Sequence, residues 1–117
     1  MSEIVPGALS PVADYFKVLS EVSWLQVLCC LKPSVKNATE IIAATGLGQA
    51  NVSKHLKVLT QAGIVKRTPI GVSVIYEIAD PICLRLCELV CDRLTVRLQE
   101  QSQQLGNLKS LATSKKL

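Results

Sequence analysis

Histidine is almost missing from this chain: one residue, His55, in 117. Aromatics are nearly as scarce, with only Tyr15, Phe16, Trp24 and Tyr76. A nucleophilic cysteine needs a base beside it. His55 is far in sequence from Cys29, Cys30, Cys83, Cys87 and Cys91, which argues against a cysteine-dependent enzyme. One imidazole without a second also argues against a zinc site of the usual nitrogen and sulfur type. No apolar run approaches the ~18 residues that a membrane-spanning helix requires. The opening "MSEIVPGALSP" lacks the basic-then-apolar order of a secretory leader. The expectation is a cytoplasmic protein with no membrane partner. Its odd number of cysteines are then free thiols and not a disulfide scaffold. Finally, acid is absent from one long stretch. From Ile41 to Tyr76 there is no Asp or Glu, while the same stretch holds Lys54, Lys57, Lys66 and Arg67. A basic segment with no acid in it is the electrostatic footprint expected for a polyanion.

What is present suffices for one compact domain. Apolar residues make up 49% of the chain, so its core is aliphatic. Ser10-Pro11 reads as N-cap and first turn of a helix, "PVADYFKVLSE". A second helix, "VSWLQVLCCLK", ends before Pro33. Asn37 and Glu40 have capping-box spacing ahead of a short helix that stops at Gly46. In "GQANVSKHLKVLTQAG", Val52, Leu56, Val58 and Leu59 form an apolar stripe at helical period. Asn51, Lys54, His55 and Lys57 fall on other faces. Then the period shortens to two. "IVKRT" and "VSVIYEI" read as the strands of a hairpin with Pro69 and Gly71 at its turn. A last long helix runs from Asp80-Pro81 to about Gln104. The expected division is an N-terminal extension over 1–10, a domain over 11–104 and a flexible tail over 105–117. The fold class is mostly α with a β-hairpin wing, a winged helix-turn-helix.

The stretch "GLGQANVSKHLKVLTQAGIVKR" resembles the helix-turn-helix and wing entry of ArsR/SmtB-type bacterial repressors. "LSEVSWLQVLCCL" is similar to that family's second helix, and "VIYEIADP" to its second wing strand. The likeness covers about residues 12–98. It implies a homodimer built from the first and last helices, a double-stranded DNA operator as partner, and an inducer that weakens DNA binding. It makes Gln49–Ala62 the recognition helix, with Gln49, Asn51, Ser53, Lys54 and Lys57 facing DNA. Gln49 or Asn51 can pair bidentately with adenine, and Ser53 can reach a phosphate. Lys54, Lys57, Lys66 and Arg67 would neutralise phosphates and make affinity depend on salt. His55 is read as structural or as a phosphate contact, not as a metal ligand. The chain departs from the family in two places. The wing tip, "TPIGVS", is uncharged where the family carries arginines, which leaves room for a winged-helix module that binds protein. The second helix lacks the usual Asp-Pro and Arg.

The family's familiar zinc sites have no counterpart here. The third helix, "NATEIIAAT", has no Cys-x-Cys pair. On the last helix only Asp80 matches, with Ile82, Arg93 and Val96 where the other ligands stand. What remains is thiol chemistry. Cys83, Cys87 and Cys91 recur every fourth residue in "ICLRLCELVC". Neighbours at that spacing have Cβ atoms about 5–6 Å apart, more than the ~3.5–4.5 Å a disulfide wants. A thiol from another helix or another subunit is therefore needed. Some family members sense oxidants or reactive sulfur through one cysteine on the second helix and one on the last, which points to Cys29 with Cys91 and Cys87. Others bind As(III), for which Cys87 and Cys91 with a third thiol would serve. Cys30 and Cys83 are read as core filling, because cysteine packs as a small hydrophobe. No cofactor is expected beyond As(III) as an inducer in that alternative.

Overall fold

The computed structural model describes residues 5–114. They form helices α1 (Pro6–Val18), α2 (Val22–Leu31), α3 (Ala38–Thr45), α4 (Gln49–Gln61) and α5 (Ile82–Ser114). Three strands complete the fold: β1 (Lys36–Asn37), β2 (Val65–Ile70) and β3 (Ser73–Ile78), in the antiparallel order β1-β3-β2. The chain divides into two units, 1–84 and 85–117. The core of the first draws on every helix of that unit. Val18, Val27, Leu28, Leu31, Ile41, Val52, Leu56, Leu59, Ile64 and Val65 are buried, with Cys83 from the first turn of α5.

Local chemistry fixes most boundaries. At α3, the Asn37 side chain accepts from the Glu40 backbone N–H at 2.9 Å, and Glu40 Oε1 accepts from the Asn37 N–H at 2.9 Å. Two otherwise unpaired donors are satisfied at once. Gly46 ends α3 at φ 72°. α4 ends in a Schellman motif around Gly63, whose φ is 75°. There the Ile64 N–H reaches the Leu59 carbonyl at 3.0 Å and the Gly63 N–H reaches Thr60 at 3.1 Å. That turn delivers Ile64 into the core at the start of the hairpin. Asp80 Oδ1 accepts from the Ile82 N–H at 3.0 Å, which caps α5.

Four expectations need correction. α1 starts at Pro6, and Pro11 lies inside it. Pro6 supplies the same preset φ at the first helical position one turn earlier. The added turn brings Leu9 into a stripe with Val5, Val12 and Phe16, all exposed. The hairpin turn is Gly71-Val72, with Ile70 paired to Ser73, so Pro69 lies within β2 opposite Val74. β2 is an edge strand, where a missing N–H costs least. Positive φ at Gly71 alone marks a type II′ turn. β1 has no sequence signature. It exists because Lys36 and Asn37 meet Tyr76 and Ile75 of β3. Last, α5 runs on to Ser114 and does not end near Gln104. Gly106 does not break it, and Leu105, Leu108 and Leu111 continue at helical spacing. Every residue of α5 from Glu88 to Ala112 is exposed, including Leu89, Val90, Leu94, Val96 and Leu98.

Candidate nucleic-acid interface

α4 is amphipathic in the way a groove-reading helix must be. Val52, His55, Leu56 and Leu59 are buried. Gln49, Asn51, Ser53, Lys54 and Lys57 are exposed, and so are Lys66 and Arg67 on β2. The fold brings some of these residues together. Ser53 and Lys57 of α4 line one groove of about 250 Å³ with Arg67 of β2, and Thr60, Gln61 and Tyr76 complete its wall. A hydroxyl and two cations thus converge where the helix meets the wing. Lys54 stands on the other flank of α4, lining a groove of about 730 Å³ with Asp14, Lys17, Glu21 and Trp24. Lys66 neighbours Arg67 on β2, and side chains alternate between the two faces of a strand. Gln61 and Tyr76 were absent from the sequence-based site. Gln61 is signalled only by its place two turns after Ser53, and Tyr76 only by its register opposite Arg67.

His55 requires the main correction. It is buried on the core face of α4, so it is no phosphate contact; the structural reading holds. The Trp24 indole N–H donates to its Nδ1. Burial lowers its pKa below the ordinary imidazole value, Glu21 works against that, and Lys54 adds to it. Burial thus favours the neutral ring.

None of the five cysteines is in a disulfide, and their surroundings differ widely. Cys83 is fully buried and its Sγ–H donates to the Asp80 carbonyl at 3.4 Å. Cys30 donates to the Val27 carbonyl at 3.0 Å. Burial raises its pKa, an effect that Lys36 opposes and Cys29 reinforces. Both behave as core filling. Cys29 is exposed on α2, and Lys36 spends its ammonium on the Cys30 carbonyl at 2.6 Å. Cys87 is half-buried and Cys91 exposed on the part of α5 that belongs to the second unit. Among the described residues, no three His, Cys, Asp or Glu side chains stand close enough to hold a metal ion. No helix among them is long and apolar enough to cross a membrane.

Residues 24–67, from Trp24 through α3 and α4 to Arg67, match the family model described as "Bacterial regulatory protein, arsR family". In sequence the chain is 33% identical over 70 residues to Rv0081 of Mycobacterium tuberculosis, an uncharacterized HTH-type transcriptional regulator. That match covers 59% of this chain and spans 61% of the relative's length. The crystal structure of Rv0081 superposes with a TM-score of 0.74 at 27% identity, covering 84% of this chain and 98% of that one. The homodimeric winged helix-turn-helix DNA-binding domain Mb0332 of Mycobacterium bovis gives a TM-score of 0.72 at 27% identity, covering 86% and 95%. AntR, an antimony-specific transcriptional repressor, gives 0.71 at 28% identity, covering 85% and 90%. These relatives are regulators, not enzymes. The winged helix-turn-helix seen in the fold, the α4 face that it exposes and the match over residues 24–67 agree: this segment is similar to the ArsR family of bacterial regulatory proteins.

Proposed function

We propose that the protein is a cytoplasmic, homodimeric DNA-binding transcriptional repressor that reads its operator with α4 and releases it when its thiols react. The observation that carries this reading is the exposed face of α4, where Ser53 and Lys57 meet Arg67 in one groove within a stretch that holds no acid. Gln49 and Asn51, at the start of the helix, are the side chains suited to base edges. Lys54, Lys57, Lys66 and Arg67 supply the phosphate contacts. The exposed stripes of α1 and α5 suit a second copy of the chain, in keeping with the homodimeric Mb0332. Cys29 and Cys91 are the exposed thiols, and Cys87 is half-buried. In the redox form of the reading, two thiols lose two protons and two electrons to an oxidant such as polysulfide and form a disulfide. The bond biases the dimer away from the state in which both α4 helices fit the DNA. The likeness to AntR favours a second form, in which Cys87 and Cys91 with a further thiolate take a trivalent ion such as As(III).

Fluorescence anisotropy on DNA from the protein's own promoter tests both. The reduced protein should bind, with affinity falling steeply with salt, and Lys57→Ala should reduce the slope by about one counterion. Loss of binding on adding polysulfide, but not in a variant with Cys29 and Cys91 changed to Ser, supports the redox form. Loss with arsenite alone supports the ion form. Binding indifferent to both makes the cysteines packing residues. No salt-sensitive binding at all removes the DNA-binding reading.

A further inference from the structure

His55 is the only imidazole of the chain and Trp24 the only indole, and the fold buries them against each other. Trp24 of α2 is 8% exposed and His55 of α4 is 6% exposed. The rings meet edge to face, with centroids 5.5 Å apart, and the indole N–H donates to His55 Nδ1. An indole nitrogen can only donate, so this bond requires a lone pair on Nδ1. The imidazole is neutral and carries its proton on Nε2. A proton added to Nδ1 would face the indole hydrogen and place a charge inside the contact between α2 and α4. The bond would be lost and the ring would have to turn toward water. Val52, Leu56 and Leu59 share its face of α4, so the ring cannot leave without disturbing how that helix is seated. The charged groups nearby are Glu21 ahead of α2, Lys54 on α4, and Asp14 and Lys17 of α1, which line the groove beside Trp24. Burial is the dominant influence on the ring, ahead of Glu21, which opposes it, and Lys54, which adds to it.

We propose that His55 is a positioning residue for DNA binding: its bond from Trp24 seats the recognition helix, and protonation at Nδ1 in mild acid unseats that helix and releases DNA. The proposal rests on the reading of α4 as the DNA-reading helix. Its sign is diagnostic. A histidine touching phosphate would bind DNA more tightly when protonated. His55 should do the opposite.

The intact protein carries its own reporters. An NMR titration of the single histidine should give a midpoint below 6.5, the ordinary imidazole value, and Trp24 fluorescence should change at the same midpoint. Operator affinity at fixed salt should fall by up to about tenfold per pH unit below it, and stay flat over that range in His55→Gln. The NMR and fluorescence arms use the wild type, so a variant that fails to fold does not rescue the idea. A midpoint at or above 6.5, fluorescence that ignores the His55 titration, or wild-type binding that is flat or tighter in acid would each overturn the proposal. No binding at any pH, in either protein, would instead remove the DNA-binding reading beneath it.

Discussion

At the scale of residues, His55 shows how one side chain's neighbours decide its chemistry. Within "SKHLK" it stands between Lys54 and Lys57, both exposed, yet the helical turn sends it to the core. Its lowered pKa has a consequence for stability that does not depend on DNA. The unfolded chain takes up a proton near pH 6.5 that the folded chain resists. Stability from this group is therefore complete above pH 6.5 and is lost as pH falls from there through the lowered folded value. Urea unfolding at pH 7.5 and 5.5 should show the wild type losing more stability than His55→Gln. Equal losses in the two proteins would mean the carboxylates alone account for acid sensitivity.

At the scale of elements, α3 is the clearest case of a helix defined by its ends. It has eight residues and one buried side chain, Ile41. Helices this short are marginal without outside support. The reciprocal Asn37–Glu40 bonds and the Gly46 cap supply part of that support. Asn37→Ala should cost about 1 kcal/mol, read as a lower denaturation midpoint with an unchanged slope. Asn37→Asp, which keeps an acceptor, should recover most of it. Little effect from Asn37→Ala would show that β1, which also includes Asn37, holds the segment by itself. α4 needs no such side-chain cap; its stability comes from a stripe of four buried residues and the Gly63 turn.

At the scale of the whole molecule, many large apolar side chains stand exposed on α1 and α5. Val5, Leu9, Val12 and Phe16 form a stripe on α1, and Leu89, Val90, Leu94 and Leu98 stand exposed on α5. An exposed apolar stripe along a helix is the kind of surface expected at an interaction site. Sedimentation equilibrium should give the mass of a dimer. The paired change Leu94→Asp with Leu98→Asp should give a monomer whose operator affinity collapses. A dimer that survives this change would move the interface off this part of α5.

The sequence by itself determined the order of elements, the capping box of α3, the stop at Gly63, the period change into the wing and the outward-facing candidates Gln49, Asn51, Ser53, Lys54, Lys57, Lys66 and Arg67. These are local properties: hydrophobic period, φ-permissive glycines and side chains that bond their own backbone. Only the tertiary structure decided the rest. β1 arises from pairing with residues about 40 positions away, for which two residues carry no pattern. Whether Ser10-Pro11 or Pro6 opens α1 is settled by a longer helix, since either proline satisfies the same local rule. His55 stayed open between a structural role and a phosphate contact because its partner, Trp24, is 31 positions away. Ser53, Lys57 and Arg67 became one groove because the Schellman turn after α4 folds the wing back beside it. The five thiols differ only through burial and their carbonyl partners, which spacing along a helix cannot foretell.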